Sequence, residues 1–186
     1  MVFSEERLEE MVQSNNWAER VLAVNAGHGL SRLIHDTDWR VRAAVAERFY
    51  GLEELMNDEH WQVRVAVAEQ GYGLDTLVHD EDALVRSAVA RQGYGLEELV
   101  FDDAWAVREV VAEQGYGLDK LLFDKDEVVR EAAEQYLVDL DIDPDALRRD
   151  LRIQKAAKVA GCVAGAVAFV GLLGGVLRRL GARRHR

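Results

Sequence analysis

Six arginines, Arg20, Arg42, Arg64, Arg86, Arg108 and Arg130, follow one another at intervals of 22 residues without a gap. A guanidinium is always charged and offers a planar fork of donors, so a ladder of them could grip phosphates or carboxylates. The same geometry could instead be internal. Each arginine can pair with the residue six positions earlier, Asp36, Asp58, Asp80, Asp102 or Asp124, or with a neighbouring unit's helix end. The internal use is the preferred expectation, because stacked short helices need polar ties for the ends they partly bury.

Other residues with chemical potential recur at the same interval. Trp17, Trp39, Trp61 and Trp105 share one position, with Ala83 in the fourth place. They could fill the seam between stacked helices or form a binding stripe, since tryptophan serves both. Tyr50, Tyr72, Tyr94 and Tyr116, with His28 as their counterpart, leave the same choice open. His35 and His79 share a position two units apart, with Asn57 between them and Phe101 and Phe123 beyond. Ligands so spaced cannot meet on one ion, so no metal is expected. No glycine-rich phosphate loop or nucleophile elbow is present, and no carboxylate pair stands out for acid and base roles, so neither catalysis nor a cofactor is expected. The single cysteine, Cys162, forms no internal disulfide and cannot supply a cysteine-based metal site within one chain.

These ladders need elements that repeat with the same period, and apolar patterning supplies them. Full units run over 17–38, 39–60, 61–82, 83–104 and 105–126, with partial units over 8–16 and 127–140. In the third unit Val63, Ala66, Val67 and Gln70 lie on one face of a helix of about three turns, and Leu74, Leu77 and Val78 repeat that spacing over one turn. Neither piece can bury its face alone, so the copies must stack into a continuous core. Gly71, inside the recurrent VAEQGYGLD, falls where the longer helix should end, and glycine accepts the left-handed backbone that closes a helix. Ser14, Asp36, Asp58, Asp80, Asp102 and Asp124 occupy one position and are expected to cap the next helix.

A helix entered through Asp-x-x-x-x-Val-Arg, as in DEHWQVR and DDAWAVR, followed by AVAE and a brief leucine-rich turn, resembles the leucine-rich repeat variant family and its HEAT-like relatives. The resemblance covers roughly residues 8–137. It implies an all-α fold, a right-handed α-solenoid in which short α-helices alternate with one-turn, 3-10-like helices. The unit here is 22 residues, where the family's is slightly longer, and the cysteine cluster of some members is absent. No redox role is therefore carried over.

Charge divides the chain. Residues 1–145 hold 33 acids against 13 lysines and arginines, and residues 146–186 hold 1 against 10. An acidic solenoid argues against nucleic-acid binding, which rests on clustered cations that release counterions. Asp143 before Pro144 reads as a helix start, opening a basic linker helix over 141–158. Residues 159–177 then run 19 positions without a charge, about the length that crosses a bilayer core. A capping helix for the solenoid is the alternative, but such a helix should show a polar face. Lys155 and Lys158 before the run, and the basic tail 178–186 after it, suit lipid headgroups. The acidic N-terminus does not read as a signal peptide, so the expected topology is a C-terminal anchor with the solenoid in the cytoplasm. Gly161 with Gly165, and Gly171 with Gly175, form small-x-x-x-small pairs that permit self-association of the span.

The resulting expectation is a noncatalytic, membrane-anchored scaffold for a protein partner. Its candidate contacts are Trp39, Trp61 and Trp105, with the positions that vary between copies: Val65, Ser87, Glu109, His79, Phe101 and Phe123. The alternative makes the glycine-rich span the effector, oligomerising in a membrane with the solenoid as regulator.

Overall fold

The computed structural model of the chain describes residues 3–159, and every regular element among them is helical. The expected span 159–177, except its first residue, and the tail 178–186 lie outside the described residues, as do Gly161, Gly165, Gly171 and Gly175. Among the described residues no helix is long and apolar enough to cross a membrane.

The described residues up to 136 form one compact unit. It opens with α1 (Glu5–Val12), followed by five pairs of a nine-residue and a four-residue helix. The pairs are α2 (Trp17–Asn25) with α3 (Leu30–Leu33), α4 (Trp39–Glu47) with α5 (Leu52–Leu55), and α6 (Trp61–Glu69) with α7 (Leu74–Leu77). Then come α8 (Ala83–Arg91) with α9 (Leu96–Leu99), and α10 (Trp105–Glu113) with α11 (Leu118–Leu121). The longer helices pack in chain order, α1 on α2, α2 on α4, α4 on α6, α6 on α8 and α8 on α10, which makes an all-α solenoid. The chain then enters α12 (Glu127–Val138).

The core follows the expected apolar columns. Val41, Val63, Val85 and Val107 are fully buried, as are Val45, Val67, Val89 and Val111. The short helices add Leu55, Leu77, Leu99 and Leu121. Each such side chain is worth roughly 1.5–3 kcal/mol when removed from water. A four-residue helix cannot persist alone, since nucleation is unfavourable and few bonds repay it. Its buried leucine is therefore what fixes it. The short helices are α-type turns where 3-10 geometry was expected: the N–H groups of Leu77 and Val78 reach back four residues, to the carbonyls of Gly73 and Leu74. Bonds over three residues occur only at their margins, as from Thr76 to Gly73.

GYG is a paired hinge in which the two glycines do different work. Gly71 has φ +73° and follows Gln70, the C-cap of α6; its N–H donates to the Ala68 carbonyl and the Tyr72 N–H to Val67. This crossed pair of bonds closes the helix. Gly73, at φ +63°, opens α7. A Cβ at Gly71 or Gly93 would meet nothing, whereas one at Gly95 would come 2.5 Å from Val78 Cγ2 in the preceding unit. In the second unit Phe49 replaces the first glycine, holds φ +57° and leaves its ring 69% exposed.

Helix starts differ from the expectation. The aspartates at 36, 58, 80, 102 and 124 are not the N-caps; their carboxylates accept the backbone N–H two residues on, as Asp58 does from His60 at 2.8 Å. That next-but-one residue is the cap: Asn16, Asp38, His60 and Asp82 accept from the second helical N–H, and Ala104 supplies no side-chain cap. The carboxylate two residues upstream is thereby left for another bond.

From residue 137 on, the described residues belong to a second unit. Its described helix, α13 (Pro144–Val159), starts where expected: proline takes the first position and Asp143 Oδ1 accepts the Asp145 N–H at 2.9 Å.

Two substitutions in one joint separate the roles of its glycines. Gly93→Ala adds only left-handed strain, about 1–2 kcal/mol. Gly95→Ala adds the clash with a stiff β-branched side chain, roughly another 1–3 kcal/mol. Urea unfolding of the two variants should rank them in that order, and Phe49→Gly should stabilise by about 1 kcal/mol.

Candidate functional site

The arginine ladder is an internal structure, and its pairing reaches forward as well as back. Arg42 Nη1 donates at 2.6 Å to the backbone carbonyl of Asp36, six residues earlier. Its Nε and Nη2 grip the carboxylate of Asp58, sixteen residues later, at 2.6 and 2.9 Å. The same fork joins Arg20 to Asp36, Arg64 to Asp80, Arg86 to Asp102 and Arg108 to Asp124. The expected partner was the aspartate six residues back or a neighbouring unit's helix end. That aspartate gives its carbonyl instead, because its carboxylate is held by the arginine of the preceding unit. Arg130 donates to the Asp124 carbonyl at 2.7 Å, but sixteen residues on the sequence has Ala146, so the ladder of forks closes at Arg108 and Asp124.

Both members of each rung are largely covered, and Arg42, Arg64 and Arg108 are buried outright. Nε, Nη1 and Nη2 of each arginine from Arg20 to Arg108 are hydrogen-bonded within the chain, so these five guanidiniums serve the frame. The Arg108 fork holds the Asp124 carboxyl below the usual carboxylate range. At Asp102 burial pushes the carboxyl up, but the Arg86 fork and the Ala104 N–H outweigh it, and the net shift is downward.

The tryptophans line the entrances of the long helices, and the first three belong to a continuous stack of planar groups. The Arg40 guanidinium lies 4.0 Å from the Trp17 ring and 5.8 Å from that of Trp39, and Asp38 holds it through Nε and Nη2 at 2.9 and 2.7 Å. His60 stacks on Trp39 at 4.6 Å with an interplanar angle of 10°, and reaches Trp61 at 6.1 Å. His60 Nδ1 also accepts the Gln62 N–H, so one ring caps α6 and fills the stack. The order Trp17, Arg40, Trp39, His60, Trp61 was not legible from the tryptophan positions alone. The signal lay in the flanking positions, where Arg40 and His60 follow the ring they cover at intervals of 23 and 21 residues.

Beyond Trp61 the pattern breaks. Ala83 takes the ring's place, Leu84 replaces Arg40 and is 46% exposed, and Trp105 is 48% exposed. The remaining candidates do not converge. Phe101, 67% exposed, lies under Lys120 Nζ at 5.3 Å, and Phe123 is exposed. His79 pairs with Glu98 at 3.1 Å, as His35 does with Glu54. Val65 and Glu109 are half-buried, and burial, with Glu113 nearby, raises the Glu109 carboxyl despite Arg91. Ser87, expected among the contacts, is instead buried: it is 1% exposed, and its hydroxyl has no hydrogen-bond partner among the described residues. The tyrosine row, Tyr50, Tyr72, Tyr94 and Tyr116, is exposed along the hinges.

Compared with protein-family models, curated proteins and solved structures, the chain matches none.

Rung chemistry gives a directional test. Arg64→Met or Asp80→Leu alone strands a buried charge and should cost roughly 3–5 kcal/mol in urea unfolding, while the double variant should recover much of that loss. Since the Asp124 and Asp102 carboxyls titrate lower in the folded chain, their contribution is full above about pH 5. It is lost as pH falls below about 4, through the folded values, so an acid titration followed by circular dichroism should unfold the solenoid there. Ser87→Ala removes an orphan hydroxyl and should leave stability unchanged or raise it by about 1 kcal/mol.

Proposed function

We propose that the protein is a noncatalytic scaffold, related in design to the leucine-rich repeat variant and HEAT-like families, that is anchored to a membrane and presents its acidic solenoid to a protein partner. The observation that carries this reading is the division of labour among repeated residues. Guanidinium groups that could have served a ligand are consumed in rungs, while apolar side chains that vary from copy to copy, Leu84, Phe101, Trp105 and Phe123, stand exposed on a repeated frame. Solenoids bind along such extended surfaces. An acidic surface speeds encounter with basic partners, and anchoring raises their effective concentration.

The anchoring part rests on sequence: the uncharged run 159–177 between basic flanks, with the solenoid held in the cytoplasm. Alkaline extraction of the full-length protein from its own membranes tests it. The protein should stay in the pellet, with the solenoid open to protease from the cytoplasmic side. Release into the soluble fraction would overturn the anchor. Replacing 159–177 by an unrelated span should preserve function if the solenoid is the effector and abolish it if the glycine-rich span is.

A further inference from the structure

We infer that the interruption of the tryptophan row at Ala83 is a notch that takes an arginine side chain from a basic segment of a protein partner. This names the chemistry of the partner and rests on the scaffold reading.

The occupied half of the row shows what the notch accepts. From Trp17 to Trp61 one planar group follows another at 4.0, 5.8, 4.6 and 6.1 Å, and two of those groups are not rings of the tryptophan row: Arg40 from the first turn of α4 and His60 from the cap of α6. Packed helices stand about 8–10 Å apart, so one ring per helix leaves room for one intercalated planar group per step. From Trp61 to Trp105 the chain takes two such steps with Ala83 in the ring's place and Leu84, Ala104 and Ala106 where planar groups could have stood. Nothing described in the chain stacks on Trp105.

The carboxylate that holds the internal occupant is also repeated. Asp38 binds the Arg40 guanidinium through both oxygens while capping α4. Asp82 is its counterpart two units on; its Oδ1 caps α8 by accepting the Leu84 N–H at 2.8 Å, and it makes no ion pair among the described residues. The notch therefore keeps one aromatic face, that of Trp61, and the acid of the Trp17 site, with Leu84 where the guanidinium would stand and Ala83 where the second ring would. A planar guanidinium can stack on an indole and bind a carboxylate through two donors at once, which an ammonium cannot do. Exposed Glu81, which reaches Arg64 Nη2 at 3.6 Å, disfavours an acidic guest beside Asp82.

Full-length protein in detergent micelles, titrated with an arginine–glycine repeat peptide and followed by tryptophan fluorescence at low ionic strength, tests the assignment. Binding should saturate, and the lysine–glycine peptide of equal length should bind about tenfold more weakly or worse. Asp82→Asn keeps the cap, since asparagine caps as well as aspartate, yet should weaken binding about tenfold. Leu84→Arg should fill the notch from within and abolish binding. Arg40→Leu should open a second notch and raise the stoichiometry. Equal affinity for the two peptides, or indifference to both Asp82→Asn and Leu84→Arg, would overturn the proposal. With Arg178, Arg179, Arg183, Arg184 and Arg186 all changed to Gln, affinity should not change; a tenfold gain would make the chain's own tail the occupant and refute a partner. The titration does not depend on anchoring, so failure of the membrane reading would appear in the extraction experiment alone.

Discussion

Each turn of the solenoid is tied to the next by one guanidinium that spans two loops. The arginine's Nη1 holds the carbonyl six residues behind, and its Nε and Nη2 hold the carboxylate sixteen ahead, so its two arms together measure one 22-residue unit. A residue inserted in either arm would move one end out of reach of the fork. The period of the sequence is therefore the span of a single side chain's bonds, repeated five times from Arg20 to Arg108. Taking both charges out of water is costly, and replacing such a pair with apolar residues can even stabilise a protein. What the rung contributes that apolar packing would not is register: a bidentate fork has one geometry, whereas valines against alanines tolerate sliding.

The other repeated features complete what the rung begins. The aspartate is oriented by the N–H of the residue two positions on, which brings the loop to the start of the next long helix. That helix buries two valine columns, and the crossed bonds around the first glycine stop it. The second glycine lets the short helix come against the preceding unit, where Val78 and Val100 leave no room for a Cβ at Gly95 and Gly117. The short helix in turn places one leucine in the core and delivers the next aspartate. Removing any of these breaks a cycle, which is why the chain writes VAEQGYGLD twice with so little change.

Much of the frame was legible in the sequence because it rests on local rules. Unit starts at Trp17, Trp39, Trp61, Ala83 and Trp105, the buried valine and leucine columns and the hinge at Gly71 follow from periodicity and backbone preference, whereas the caps fall two residues later than the aspartates that suggested them. What sequence did not reveal depends on contacts between units. An aspartate six residues before an arginine looks like its carboxylate partner, but that aspartate closes the preceding unit and gives its carbonyl, while the carboxylate comes from sixteen residues on, where the same unit turns back around its short helix. Ser87 varies between copies, and variation suggested a surface position, yet it lies on the covered side of α8. Arg40 and His60 belong to the tryptophan row only once neighbouring units are stacked.

The tie between units can be observed directly through the arginine Nε–H groups in proton–nitrogen spectra of the full-length protein. Arg20, Arg42, Arg64, Arg86 and Arg108 each commit that proton to a largely covered aspartate, whereas Arg40 commits its own at a partly exposed site. The account predicts five resolved Nε–H signals whose exchange with water is far slower than that of Arg40, each lost when its aspartate sixteen residues on is changed to alanine. Exchange of all five at the rate of a solvated guanidinium would contradict it.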